Sequence, residues 1–143
     1  MGKPQPFPHH YTVALADGQL TAPPRAAVAA GAPPQFGGVD TVWSPEEMLV
    51  GAALTCLWTT FVAYARRDQL EVARWSGRGE AVLVRGEQGA PPTFTQITLT
   101  VELTVAAADA ERARALLITS EERCIISHAL KVPVALQIEV HPT

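Results

Sequence analysis

Residues 48–65 include no charged side chain over 18 consecutive positions, and this run constrains the chain more than any other feature. Directly before it stands Ser44-Pro45-Glu46-Glu47. Ser44 and Glu47 have the capping-box spacing, and Pro45 falls where a missing N–H costs nothing. The spacing predicts a helix from about Pro45 to about Arg67, with Arg66 and Arg67 complementing the negative end of its dipole. A helix without a polar face is expected to be buried in a core or an interface. Its length is also the short limit for a membrane span. Ala, Thr and Gly dominate the run, however, and the cap is of a soluble type, so a buried helix and no membrane partner are expected.

The rest of the chain reads as strands around this helix. Asp17-Gly18 is a turn dipeptide between apolar stretches, which predicts a hairpin over residues 11–22. A Pro/Gly/Ala-rich connection follows to Asp40, carrying Arg25, the only arginine before position 66. A loop of this length is uncommon in a compact domain unless it serves a site or an interface; a strand around residues 25–30 is the alternative. Beyond the helix, strands are expected at residues 72–76 and 79–84. The clearest strand covers residues 94–105, where Ile97, Leu99, Val101, Leu103 and Val105 alternate with polar residues. Residues 85–92 are the turn between antiparallel partners. Asp109 is a good N-cap for a second helix over residues 110–120, with Leu116 and Leu117 inward. Residues 121–128 suggest a short helix bearing Cys124, and residues 132–140 alternate as a final strand. Nothing repeats and no linker is visible, so one domain spanning residues 1–143, with residues 1–10 flexible, and an α+β class are expected.

A packing consequence follows. A single antiparallel sheet cannot cover a helix that is apolar on every side. With about six strands available, a homodimer whose long helices pack together is the economical solution. The formal charge of −3 and the absence of a Lys/Arg block argue against nucleic acid as a partner. Residues 1–11 are polar and rich in proline and histidine, unlike a secretory signal. Two cysteines in such a chain read as reduced thiols or a redox pair rather than a staple, and a cytoplasmic location is expected.

Cys56 and Cys124 lie 68 residues apart, which is neither a Cys-x-x-Cys motif nor part of a zinc ligand set. Cys56, inside the apolar helix, reads first as a small hydrophobe and second as a reactive thiol. Cys124 stands between Glu-Glu-Arg and Ser-His, a more polar setting in which Arg123 would favour thiolate. The histidines have no metal spacing, no glycine motif cradles phosphate, and no metal or cofactor is expected. His128 is expected to hydrogen-bond near the second cysteine. Glu46 is explained by the helix dipole alone. It is ten residues from Cys56, about 15 Å along a straight helix, so the two would meet only through a kink near Gly51 or across a two-fold dimer.

Ser-Pro-Glu-Glu-Met-Leu-Val-Gly-Ala-Ala-Leu-Thr-Cys (44–56) resembles the helix signature of the OsmC/Ohr family, thiol peroxidases that act on hydroperoxides. Pro-Pro-Gln-Phe-Gly-Gly (33–38) with Trp43 is similar to an OsmC-like subgroup, and Glu-Arg-Cys-Ile-Ile-Ser (122–127) resembles the family's second-cysteine segment. The resemblance implies an intertwined homodimer, with antiparallel sheets wrapped around long central buried helices and two sites at the interface. It implies Cys56 as the peroxidatic thiolate, Cys124 as the resolving thiol and Glu46 as the carboxylate that holds a site arginine; that arginine has no motif of its own here, and Arg25 is the candidate for it as the only arginine upstream of the helix. Thiolate attack on the O–O bond would give a sulfenic acid at Cys56, which Cys124 converts to a disulfide. An external dithiol, lipoyl-type or thioredoxin-like, would reset the pair. The competing expectation is a non-catalytic dimer that binds a small apolar molecule at its interface.

Overall fold

The computed structural model describes residues 3–143; Met1 and Gly2, the start of the expected flexible tail, lie outside the described residues. The chain divides into two compact units, Met1–Met48 and Leu49–Thr143.

In the first unit, β1 (Ala14–Ala16) and β2 (Gln19–Thr21) form the expected hairpin. Asp17 and Gly18 turn it with φ of 50° and 72°, the paired positive angles of a two-residue type I′ turn. The hairpin is shorter than the sequence suggests, since its pairing begins at Ala14 opposite Thr21. A third strand, β3 (Val28–Ala29), pairs with β2 inside the proline-rich connection. Leu15, Phe36, Val39 and Trp43 remain exposed. Among the described residues of this unit only Ser44 is buried.

Helix α1 (Pro45–Arg67) begins with the capping box that its sequence predicts. The Ser44 amide donates to Glu47 Oε2 at 2.9 Å, and the Glu47 amide donates to Ser44 Oγ at 3.1 Å. The helix is uninterrupted to Arg67, so Gly51 introduces no break. Arg67 pairs with Asp68 at 2.6 Å and lies over the Tyr64 ring.

The second unit is built on a three-stranded sheet in the order β4 (Val72–Val84), β5 (Thr93–Val105), β6 (Val134–Pro142). Central β5 realises the alternation in its sequence, with Ile97, Leu99, Val101, Leu103 and Val105 at most 1% exposed. Onto this face pack Ala53, Leu57, Phe61 and Ala65 of α1 and Ala113, Leu116 and Leu117 of α2 (Ala110–Glu122). Full burial of each large side chain contributes about 1.5–3 kcal/mol.

Three expectations need correction. The two strands expected at residues 72–76 and 79–84 are one strand, β4, continuous through Gly77 and Gly79. The sheets are not all antiparallel: β6 runs parallel to β5. The reason is the connection, since α2 carries the chain back along the sheet before β6 begins, as a parallel pairing requires. Asp109 precedes α2 but makes no side-chain cap; its carboxylate lies 3.4 Å from Arg112 instead. As expected of a helix that a single sheet cannot cover, α1 is not enclosed on all sides within the chain. Its buried residues form one i, i+4 stripe, and Trp58 is 45% exposed. One sheet face covers one stripe of a helix and no more. By length and composition α1 would also suffice to cross a membrane, although the buried stripe is that of a core helix.

The two glycines of β4 set how closely α1 lies on the strand. A Cβ at Gly79 would stand 2.5 Å from Val50 Cγ1, and one at Gly77 would stand 2.9 Å from Leu54 Cδ1. Val50 is β-branched and stiff within a helix, so it cannot swing aside cheaply. Gly79→Ala is therefore expected to lower stability by about 1–3 kcal/mol, despite the smaller entropy of the unfolded chain. Urea unfolding checks this; an unchanged midpoint would mean that α1 does not rest on β4 as described.

Candidate functional site

Cys56 lies near the middle of α1, next to Leu57 of the buried stripe and half-buried on the stripe's flank. Thr59 Oγ1 donates to the Cys56 carbonyl at 3.0 Å. Cys124 closes the connection between α2 and the short α3 (Ile125–Ala129). It therefore precedes the short helix that was expected to bear it. Its amide donates to the Glu121 carbonyl at 3.0 Å, its carbonyl accepts from the His128 amide at 3.1 Å, and its side chain is fully buried.

Both cysteines are free thiols, and the fold brings them within interaction distance of each other. Burial pushes the Cys124 thiol up from its ordinary value; the Ser127 hydroxyl and amide oppose this, and the neighbouring Cys56 adds to it. Arg123, expected to favour thiolate, is exposed, and burial governs the thiol instead. His128 Nε2 lies 2.7 Å from the Glu122 carbonyl, which places the proton on that nitrogen. The expected hydrogen bond beside the second cysteine is thus present.

Two residues to which sequence reasoning assigned no role complete the cluster. Glu121 and Ser127 stand three positions before and after Cys124. Burial pushes the Glu121 carboxyl up, while Ser127 and the nearby His128 draw it down. Glu121 Oε2 and Ser127 Oγ are both shut from solvent, and neither completes a hydrogen bond of normal geometry. The symmetric i±3 spacing about a buried cysteine was the available signal. Without the turn between α2 and α3 it had no geometric meaning.

The remaining expected site residues lie in the first unit. Glu46 occupies the first turn of α1, half-buried, with Oε2 shielded and without a hydrogen-bond partner among the described residues. Arg25 is exposed, and its Nη1 reaches only the Ala22 carbonyl at 3.5 Å. No ion pair joins Arg25 to Glu46 among the described residues. None of these groups forms a metal-binding cluster: among the described residues, no set of three His, Cys, Asp or Glu is disposed to hold an ion. A groove of about 270 Å³ opens along the far half of α1, lined by Phe61, Val62, Leu70 and Trp75 together with Arg66 and Arg74; neither cysteine lines it.

Residues 38–139 match the family model described as OsmC-like protein. No curated protein sequence matches the chain. Among solved structures, an OsmC-like protein of unknown function from Vibrio cholerae is similar at a TM-score of 0.74 and 17% identity, over 84% of this chain and 82% of that one. An organic hydroperoxide resistance protein OsmC from Legionella pneumophila gives 0.66 and 18% over 93% and 98%. The organic hydroperoxide resistance protein OhrB of Bacillus subtilis gives 0.63 and 19% over 94% and 98%. At such identities the likeness is one of fold: two sheets and helices in a mixed α+β arrangement.

The buried carboxyl makes stability depend on pH. Because the folded chain holds the Glu121 proton more tightly than the unfolded chain, the group's contribution is complete below the unfolded carboxyl range, about pH 4.3. It is lost as pH rises through the raised folded value. Glu121→Gln, which cannot ionise, is expected to raise the thermal midpoint at neutral pH, with the gain vanishing in acid. Melting curves of both proteins across that range check the sign; identical curves would mean that the carboxyl's burial carries no cost.

Proposed function

Because the chain belongs to the OsmC-like protein family, we propose that it is a thiol-dependent hydroperoxide reductase with Cys56 as the attacking thiolate and Cys124 as the resolving thiol. The observation that carries this reading is the pairing of two free thiols of unequal exposure, Cys56 half-buried and Cys124 fully buried. A peroxide can approach the first and is shielded from the second. The Cys56 sulfur attacks the O–O bond, forms a sulfenic acid and releases an alcohol after proton transfer. Cys124 then displaces the hydroxyl as water and closes a disulfide before further oxidation. A dithiol, lipoyl-type or thioredoxin-like, returns both thiols by exchange. The names of the Legionella and Bacillus proteins support hydroperoxides as the substrate class. The roles of Glu46 and Arg25, a carboxylate and the guanidinium it holds, rest on the sequence resemblance.

The same reading includes a homodimer. Trp58 is 45% exposed on α1, and Ala52 and Ala63 of the same uncharged run are exposed as well. A second copy covers these positions by two-fold symmetry. Sedimentation is expected to give twice the 15.3 kDa chain mass, and Trp58→Glu is expected to shift it to the monomer. A parent protein that sediments at the chain mass would remove the dimer from the proposal.

A second reading draws on the groove beside Trp75, whose Nε1 is buried without a partner. On this reading the groove, which Arg66 and Arg74 also line, takes a small ligand with an apolar body and leaves the thiols uninvolved. Mass spectrometry separates the two. After one equivalent of an organic hydroperoxide, the parent is expected to lose two hydrogens and yield a Cys56–Cys124 cross-linked peptide. Cys124→Ser is expected to accumulate oxidised Cys56, and Cys56→Ser to leave Cys124 reduced. If neither cysteine oxidises faster than a free thiol, the peroxidase reading fails and the ligand site stands.

A further inference from the structure

The groove along the far half of α1 joins an apolar floor to cationic edges. Phe61 and Leu70 are 1% and 6% exposed, and Val62 and Trp75 are half-buried, so its walls are hydrocarbon and aromatic ring. Arg66, in the last turn of α1, and Arg74, on the outer strand β4, line it as well, and both are exposed. Arg67, the other basic residue of that turn, pairs with Asp68 and does not line the groove. Among the described residues, no Asp or Glu lines it. The groove is thus locally positive in a chain whose formal charge is −3. Its volume of about 270 Å³ exceeds the roughly 150 Å³ of a cavity that takes benzene and lies just under the roughly 300 Å³ at which drug-sized pockets begin.

We propose that this groove binds a small organic anion, a carboxylate carried on an aromatic body of about two rings. The inference rests on the ligand reading of the groove given above and adds the class of ligand; it holds whether or not the thiols reduce peroxide. The body covers Phe61, Val62, Leu70 and Trp75 and so removes apolar surface from water on both sides. Aromatic walls also gain from offset or edge contact with another ring. The carboxylate stays at the exposed edge, where it meets Arg66 and Arg74. A guanidinium presents a planar fork that matches a carboxylate, and the hydrogen bonds between them are charge-assisted. Because these charges remain near water, their pairing carries little desolvation cost. A neutral ligand of the same shape gains the burial and forgoes the pairing, and a cationic one meets two like charges. Selection is therefore by charge as well as by shape.

The test uses the whole protein with 2-naphthoate and its neutral counterpart 2-naphthamide, which share one bicyclic body. Titration calorimetry is expected to show naphthoate bound about tenfold more tightly than the amide. Arg66→Gln and Arg74→Gln are each expected to weaken naphthoate about threefold, and the double variant to bind both compounds alike. Both positions are exposed, so the substitutions leave the core untouched. The three tryptophans report the location, since Trp75 lines the groove and Trp43 and Trp58 do not. In isotope-labelled protein, the indole N–H resonance that Trp75→Phe removes is expected to move when naphthoate is added. Equal affinity for naphthoate and the amide would overturn the anion class and leave the groove as a site for neutral ligands. Binding of neither compound, or movement of the Trp43 or Trp58 resonance without that of Trp75, would overturn the groove reading as well.

Discussion

An α-helix can lie close upon a β-strand only where the strand projects no side chain, and Gly77 and Gly79 of β4 create that place for α1. Val50 over Gly79, and Leu54 with the Trp75 ring over Gly77, fill the room that two Cβ atoms would otherwise occupy. From this approach follows the depth at which Ala53, Leu57, Phe61 and Ala65 meet the apolar face of β5. Packing of this kind leaves little freedom for sliding, because interiors are filled to near-crystalline density. The rotation of α1 is fixed by its buried stripe, and Cys56 is thereby held on the stripe's flank.

The second thiol reaches the same spot by a different route. Helix α2 packs Ala113, Leu116 and Leu117 on the sheet and ends at Glu122, leaving Arg123 and Cys124 as the connection before α3 begins. Cys124 is buried because the segment around it is anchored on both sides, and burial is also what raises its thiol. The partial exposure of Cys56 and the full burial of Cys124 are consequences of packing, and they distinguish a group that meets substrate from a group that meets only its neighbour. The unpaired Glu121 and Ser127 oxygens add a local cost beside this thiol. Such costs are tolerated where the surrounding core supplies the stability to hold them.

The elements legible in advance share one property: their signals are local. Ser44 and Glu47 sit within a single helical turn, Asp17 and Gly18 within a single β-turn, and the alternation of β5 within one strand, so each could be read without knowing the fold. The same locality misled at Asp109, where Arg112 competes for the carboxylate that would cap α2. It misled again at Gly77, where a residue that usually interrupts a strand instead admits a helix. The resemblance carried by residues 44–56 and 122–127 pointed to both thiols, but it assigned no role to Glu121 or Ser127. Their meaning depends on a turn whose shape follows from α2 docking.

By itself the sequence determined the helix that begins at Pro45, the amphipathic strand β5, and the kinship visible around the two cysteines, because caps, turns and periodicity are written in neighbouring residues. Only the tertiary structure decided that β6 lies parallel to β5, that α1 buries one stripe and leaves Trp58 uncovered, and that Cys124 is enclosed beside Cys56 with Glu121 and Ser127 near it. Those outcomes depend on distances between residues far apart in the chain. Such distances are set by which faces pack, and no local pattern encodes them.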